Sequence, residues 1–325
     1  MRVRAIGLIS GGLDSALAVS LLKKQDIEVI ALRFLSPFWG RGNQIKQLVQ
    51  ELGVEYREIE VDESYLAIIK NPRYGYGKNM NSCIDCKIWM LRRTRELMEE
   101  WGASFVFTGE VIGQRPKSQM KNTLRLIEKQ SGLKGLLLRP LSAKLLPETI
   151  PEKEGWIKRE ALLDISGRGR EKQLKLAEEW KIRSFSPPAG GCLLTEPNFS
   201  RRLRDLLQHG GNLTFQEIEL LKLGRHFRFN PTFKLIVGRD AGENEKIWSV
   251  ATPEDVLFFP VEGKGPIALG RGRENRDTLE DAASLLAYYV RYEDHHVPIG
   301  IEHHRLKEVW RVPKMEEQAV RQKMI

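Results

Sequence analysis

Residues 10–15 read Ser10-Gly11-Gly12-Leu13-Asp14-Ser15, directly after the apolar run Val3-Arg4-Ala5-Ile6-Gly7-Leu8-Ile9. A helical pattern of Ala16, Leu17, Val19, Leu21 and Leu22 follows at once. A strand, a glycine turn and a helix start present free backbone N–H groups to an anion, and the helix dipole adds to the attraction. Gly11 and Gly12 let the backbone approach a phosphate closely, while Ser10 and Ser15 add hydroxyl donors. The loop lacks the Lys-Ser/Thr pair that grips a transferring γ-phosphate. Asp14 can orient a magnesium ion or the loop itself, or serve only to cap the helix.

The second set of reactive groups is three cysteines, Cys83, Cys86 and Cys192. An odd number cannot be fully paired in disulfides. Cys83-Ile84-Asp85-Cys86 opens a helix, a place where thiol pKa values are expected to fall. From spacing alone four readings stay open: a redox dithiol, a structural zinc short of a nearby fourth ligand, buried thiols, and an iron–sulfur cluster with one iron uncovered.

The elements that must position these groups alternate. Glu28–Phe34, Val54–Val61, Ser104–Thr108 and Leu136–Leu138 read as strands, and Gln44–Leu52 and Ile84–Trp101 as helices. This predicts an α/β fold with a parallel sheet, the glycine loop lying at the carboxyl end of its first strand. Helices are expected over Glu171–Trp180 and 198–208, with Pro187–Cys192 a rigid turn between them and His209–Asn212 a linker. Beyond it, strands at Thr232–Val237, Asp255–Phe259 and Pro266–Leu269 and a helix at Leu279–Tyr289 predict a smaller α+β domain. The expected domains are 1–208 and 212–300, followed by a tail over 301–325.

The 325 residues carry 52 Lys and Arg against 43 Asp and Glu, a formal charge of +9 that suits a polyanionic partner. No apolar stretch is long enough to span a membrane, and the first residues lack the order of a secretion signal, so a cytoplasmic protein is expected.

The SGGLDS loop resembles that of the PP-loop ATP pyrophosphatase family (the adenine nucleotide α-hydrolase-like fold). Phe107-Thr108-Gly109-Glu110-Val111-Ile112-Gly113-Gln114-Arg115-Pro116-Lys117-Ser118-Gln119 is similar to a segment of the tRNA 4-thiouridine synthases. There too it follows a cysteine-bearing helix rich in Arg and Met, as Met90-Leu91-Arg92-Arg93 is here. The likeness covers roughly residues 1–205. Arg115-Pro116-Lys117 departs from it, where the family has small apolar residues. In the far domain, Leu235-Ile236-Val237-Gly238-Arg239-Asp240-Ala241-Gly242-Glu243-Asn244-Glu245 resembles the NFACT-R RNA-binding domain.

These resemblances imply tRNA thiolation: ATP adenylates a uridine carbonyl, and sulfur replaces its oxygen, with 4-thiouridine the favoured product. They imply Ser10, Gly11, Gly12, Asp14 and Ser15 as nucleotide-binding residues; Arg33 and Phe34 would border the adenine, Gly109 and Gln114 would join the nucleotide site, and Ser118 would contact ATP or substrate. Mg²⁺ would sit near Asp14. Cluster-dependent members carry a CxxC and one distant cysteine, which implies that Cys83, Cys86 and Cys192 hold a [4Fe-4S] cluster. The implied partners are tRNA and a sulfur donor, either hydrosulfide or a sulfur-carrying protein; a homodimer is left open. The NFACT-R-like domain would serve as the tRNA grip, in place of the ferredoxin-like and THUMP region of the resembling enzymes. Arg92, Arg93, Arg168, Arg170, Arg201, Arg202 and Arg204 are candidate phosphate contacts. His295, His296, His303 and His304 read as surface residues. The competing readings are 2-thiouridine synthesis, an ATP-dependent ligase or amidotransferase acting on a small molecule, and a non-catalytic RNA-binding protein.

Overall fold

The structure, a computed structural model, describes residues 3–39, 44–186, 191–304 and 306–325. The chain divides into two compact units, Met1–Thr195 and Glu196–Ile325. Among the described residues no helix is long and apolar enough to cross a membrane.

In the first unit the elements run β1 (Arg4–Leu8), α1 (Leu13–Lys23), β2 (Glu28–Leu35), α2 (Gln44–Leu52), β3 (Glu55–Glu60), α3 (Glu63–Lys70), α4 (Cys83–Glu100), β4 (Phe105–Thr108), α5 (Lys121–Gln130), β5 (Leu137–Leu138), α6 (Ile150–Lys153) and α7 (Glu171–Glu179). The strands form one parallel sheet in the order β3-β2-β1-β4-β5. Alternate residues serve opposite faces. Ala5, Val29, Ala31, Phe105 and Phe107 pack with Leu13, Leu17 and Leu22 of α1 and with Leu48 of α2. Ile6, Ile30, Leu32 and Phe34 meet Leu97 and Trp101 at the end of α4. Val106 and Leu137 meet Ile84, Ile88 and Leu91 of α4 and Ile127 of α5. Burial on both faces is why these strands read as nearly continuous apolar runs. Each fully buried leucine contributes roughly 1.5–3 kcal/mol, so α1 is held firmly behind the glycine loop. Strand order reverses beside β1, and the crevice of such a sheet opens there, beyond the carboxyl ends of β1 and β4.

The second unit holds α8 (Pro197–Gln208), α9 (Phe215–Lys222), β6 (Arg225–Asn230), β7 (Phe233–Val237), α10 (Ala241–Val250), β8 (Val256–Pro260), β9 (Ala268–Gly272), α11 (Arg276–Tyr289), β10 (His296–His303), β11 (Leu306–Pro313) and α12 (Glu317–Lys323). Its sheet is antiparallel, in the order β11-β10-β8-β9-β7-β6.

Two expected boundaries differ from this structure. The helix at 197–208 belongs to the second unit, not the first. Leu203 and Leu206 are buried, Arg202 donates to the Leu221 and Gly224 carbonyls (3.0 and 2.9 Å), and Arg228 pairs with Asp205. The glycine pair read as a linker is the helix's C-terminal cap: Gly210 is left-handed (φ +71°), and Gly211 N–H returns to Leu206 O at 2.9 Å. Residues 301–325 are no tail either. They complete the β10–β11 hairpin and add α12, burying Ile301, Val312 and Val320. Of the expected Pro187–Cys192 turn, residues 187–190 lie outside the described residues.

Candidate active site

The glycine loop turns sharply out of β1. Gly11 is left-handed (φ +79°), a conformation strained for any residue with a Cβ. Gly12 is extended (φ −87°, ψ 163°) and occupies the N-cap of α1. Helix geometry leaves the first-turn amides of Leu13, Asp14 and Ser15 without intrahelical acceptors, and a glycine N-cap has no side chain to take them up. Ser15 Oγ donates to Gly12 O (2.8 Å), and Ser186 N–H holds Gly11 O at 2.8 Å. Ser10 is exposed, Gly12 and Asp14 are half-buried.

The segment after β4 braces this turn. A Cβ on Gly109 would stand 2.5 Å from both Asp14 C and Ser15 N, so only glycine lets the two backbones meet. Gln114 Nε2 donates to Asp14 Oδ2 at 2.8 Å, while Asp14 Oδ1 is buried without a hydrogen-bond partner. Gly109→Ala is expected to force α1 away and cost about 1–3 kcal/mol, the usual scale of overpacking; urea denaturation measures it.

Glu110 anchors the same segment. Its buried carboxylate pairs with Lys87 of α4 and with Arg139 Nε at 3.1 Å. Burial pushes the carboxyl up, but the two cations outweigh it and hold Glu110 at about 2. A folded value below the unfolded one, about 4.3, means that this stabilisation is complete above that pH and is lost as pH falls toward 2. Glu110→Gln removes the carboxylate of Lys87 and leaves Arg139 with Glu128 (3.3 Å) as its remaining ion-pair partner, and is expected to destabilise the neutral protein by roughly 3–5 kcal/mol. Its melting temperature should then fall less steeply than the wild type's on acidification through that window; equal slopes would contradict the assignment.

The cysteines converge from separate segments. A helix between parallel strands runs back against them, so the start of α4 lies at the carboxyl end of the sheet, as the glycine loop does. Cys83 and Cys86 occupy that first turn, and Asn81 Nδ2 lies 3.2 Å from Cys83 Sγ. Asp85 accepts from Arg73 N (2.9 Å) and Tyr74 N (3.1 Å), folding the preceding loop back onto the helix. The Cys192 segment is fixed by Leu193 N–H to Phe38 O (3.0 Å), beyond β2, and by Asn79 Nδ2 to Thr195 O (2.6 Å).

All three thiols are half-buried and within electrostatic reach of one another. Burial pushes Cys86 up to about 12 and Cys192 up to about 11, and the neighbouring thiols add to both. For Cys86 this overturns the expected depression at a helix start: desolvation outweighs the helix end. Arg115 favours the Cys192 anion without reversing the rise. Among the described residues no three His, Cys, Asp or Glu groups stand close enough to hold a metal ion. The thiols are neighbours, therefore, but not a compact set around a single ion.

Gln114 and Arg115, consecutive in the chain, reach the two halves of the site. Gln114 bonds Asp14 in the glycine loop, and the exposed Arg115 lies within electrostatic reach of Cys192.

Other candidates fall elsewhere. Phe34 is sealed against Trp89 (ring centroids 5.7 Å, edge-on) in the core under α4, which removes it from the nucleotide side. Arg33 is buried and pairs with Glu58 on β3 at 3.5 Å. Ser118 is buried within its own turn. Arg202 caps backbone carbonyls and is no exposed phosphate contact. Arg92 lines an open cleft with Arg95 and Lys129 between α4 and α5. Arg93 pairs with Glu96 at 2.6 Å, and Arg168, Arg201 and Arg204 are exposed. His303 pairs loosely with Glu274 (3.7 Å), and His295, His296 and His304 are exposed. Sequence reading missed Tyr65, Lys87, Asn79 and Asn81, whose parts in the site depend on contacts between distant segments that no periodicity announces.

Comparison with known proteins meets this geometry at both ends of the chain. Residues 2–145 match the family model of the thiamine biosynthesis protein ThiI. Residues 224–325 match that of the NFACT protein RNA-binding domain. Both resemblances drawn from the motifs are borne out. The chain is 31% identical over 155 residues to a probable tRNA sulfurtransferase of Finegoldia magna, covering 45% of this chain and 38% of that protein. Probable tRNA sulfurtransferases of Methanothermobacter thermautotrophicus (25% over 132 residues; 37% of this chain, 32% of the relative) and Thermococcus kodakarensis (23% over 147; 42% and 36%) are similar. These matches span about a third of each relative's length. A solved 4-thiouridine synthetase–RNA complex with bound ATP aligns with a TM-score of 0.41 at 21% identity, covering 68% of this chain and 52% of that one.

Proposed function

We propose that this chain thiolates tRNA in an ATP-driven reaction. One observation carries the reading: the segment beyond β4 bonds the anion-binding glycine loop through Gln114 and Asp14, and three thiols lie within electrostatic reach of one another and, at Cys192, of the next residue, Arg115. A ligase or amidotransferase would use the loop but leave the thiols idle, and a non-catalytic RNA binder would need neither.

A uridine carbonyl oxygen is a poor leaving group. Attack of that oxygen on the α-phosphorus of ATP breaks the bond to pyrophosphate and makes the oxygen part of AMP, which leaves readily. Sulfide then forms the carbon–sulfur bond as AMP departs. In this scheme the N–H groups of the Gly12–Ser15 turn and the exposed Ser10 hydroxyl hold the leaving pyrophosphate, while the Ser15 hydroxyl, donated to Gly12 O, braces the turn instead of meeting the phosphate. Gln114 orients Asp14, whose unpartnered Oδ1 suits a magnesium ion. Magnesium, when bound, neutralises charge on the pyrophosphate. Three soft thiols within electrostatic reach of one another suit a thiolate-bound group, a [4Fe-4S] cluster on Cys83, Cys86 and Cys192. Such a cluster supplies an open iron that keeps sulfide available as a nucleophile. Phe38, Trp39, Tyr65 and Trp89 pack ring against ring beside the thiols (5.3–6.4 Å between centroids) and keep water from that side.

Mass spectrometry of tRNA nucleosides from a strain lacking the gene tests the proposal. Loss of a thiolated uridine is expected, 4-thiouridine before 2-thiouridine, and an unchanged profile would reject it.

The second unit is proposed as the tRNA grip. Arg201 and Arg204 are exposed on α8. Replacing both by Ala should weaken binding similarly across tRNA species and lower the log–log salt slope by roughly 1–2. Filter binding over a salt series reads this; an unchanged slope would place the grip elsewhere.

A further inference from the structure

Tyr65 of α3 is wholly buried, and its hydroxyl makes no hydrogen bond of ordinary geometry. A buried hydroxyl left unmade costs about 1–3 kcal/mol, so this one needs an explanation. The ring is wedged edge-on between Trp39 and Trp89, each 5.3 Å away, with Phe38 at 6.4 Å, so the hydroxyl cannot swing elsewhere. Its ionisable neighbours are the thiols: Cys86 lies within hydrogen-bonding reach of it, and Cys192 and Cys83 within electrostatic reach.

We propose that Tyr65 is a positioning residue whose hydroxyl donates a hydrogen bond to a sulfur of the group held by Cys83, Cys86 and Cys192. The inference rests on the cluster reading above. A phenol is a good donor, and a sulfur that gains negative charge on reduction is its natural acceptor. Hydrogen bonds to cluster sulfurs stabilise the reduced state and raise the reduction potential. The aromatic wall fixes the donor's direction and removes the water that would otherwise compete for it. The group thus completes the hydroxyl's missing bond, and the hydroxyl tunes the group.

The experiment begins with anaerobic reconstitution of the full-length wild type with iron and sulfide. Metal analysis, the midpoint potential and the EPR spectrum of the reduced protein follow. Wild type that takes up no iron overturns the cluster reading and this inference together. With iron present, Tyr65→Phe keeps the ring packing and is expected to retain iron and sulfide, lower the potential and shift the g-values. Placing 3,5-difluorotyrosine at position 65, a more acidic donor of nearly the same size, should move the potential the opposite way. Potentials and spectra unchanged in both variants would overturn the role of Tyr65 while leaving the cluster intact. Should Tyr65→Phe fail to fold, the fluorinated protein alone decides the matter by the sign of its shift.

Discussion

Replacing any one of Cys83, Cys86 or Cys192 by Ala will abolish tRNA thiolation. The three single variants and the triple variant should fall to the same level, on the order of 10³-fold or more below wild type, because groups that act as one unit fail together. The thiols are half-buried, so a small side chain leaves little cavity and the fold should persist. Nucleotide cleavage should survive better, since the glycine loop is held by β1, α1 and Gly109 rather than by the cysteine segments. Single-turnover assays of AMP formation and of thiolated product, run on the same preparations, separate the two. Stoichiometric zinc without iron in the wild type, or losses that simply add from one variant to the next, would refute a shared cluster.

The part of this molecule legible from sequence is the part governed by local rules. The β1–loop–α1 unit was readable because its strand is apolar on both faces and its turn demands glycine. Helix α4 was readable because its buried positions recur at helical spacing through Ile84, Ile88 and Leu91. The alternation of such elements implied the parallel sheet, and with it the location of the loop. The hairpin of β10 and β11 stayed hidden: Pro298 and Gly300 interrupt the pattern of an interior strand. At the sheet edge, β11 exposes Leu306, Lys307, Glu308 and Val309 and so has no apolar alternation. Local signals also misled. Gly210 and Gly211 look like a linker and act as a helix cap.

In the site, residue types were legible but pairings were not. Gln114 and Asp14 lie 100 positions apart and meet at 2.8 Å only because β1 and β4 are neighbours in the sheet. Phe34 and Arg33 are adjacent in sequence, yet a strand sends them to opposite faces, one into the core under α4 and the other toward Glu58. A CxxC at a helix start predicts a lowered thiol pKa, but burial at Cys86 is a tertiary property and it wins. Lys87 and Glu110 each read as ordinary charges. Their pairing, together with Arg139, is what clamps α4 to the segment beyond β4.

Asp14→Asn is expected to lower tRNA adenylation by a factor on the order of 10²–10³, the range seen when one electrostatic group facing developing charge is removed. The reasoning starts from the two carboxylate oxygens. Oδ2 is held by Gln114, so the side chain has one orientation; Oδ1 is buried and unpartnered, which is costly unless a ligand completes it. An amide has nearly the same shape and keeps α1 intact, but it carries no charge for a magnesium ion and can point an N–H₂ at it. The defect should therefore be partly relieved by raised magnesium, whereas Gln114→Ala, which frees the carboxylate without neutralising it, should cost less and respond to magnesium little. Products identify the bond cleaved. With no lysine to hold a γ-phosphate, wild-type protein and tRNA should release AMP and pyrophosphate in equal amounts, with ADP absent. ADP and phosphate would contradict the glycine-loop assignment, and full activity in Asp14→Asn would leave Asp14 with only its place in the first turn of the helix.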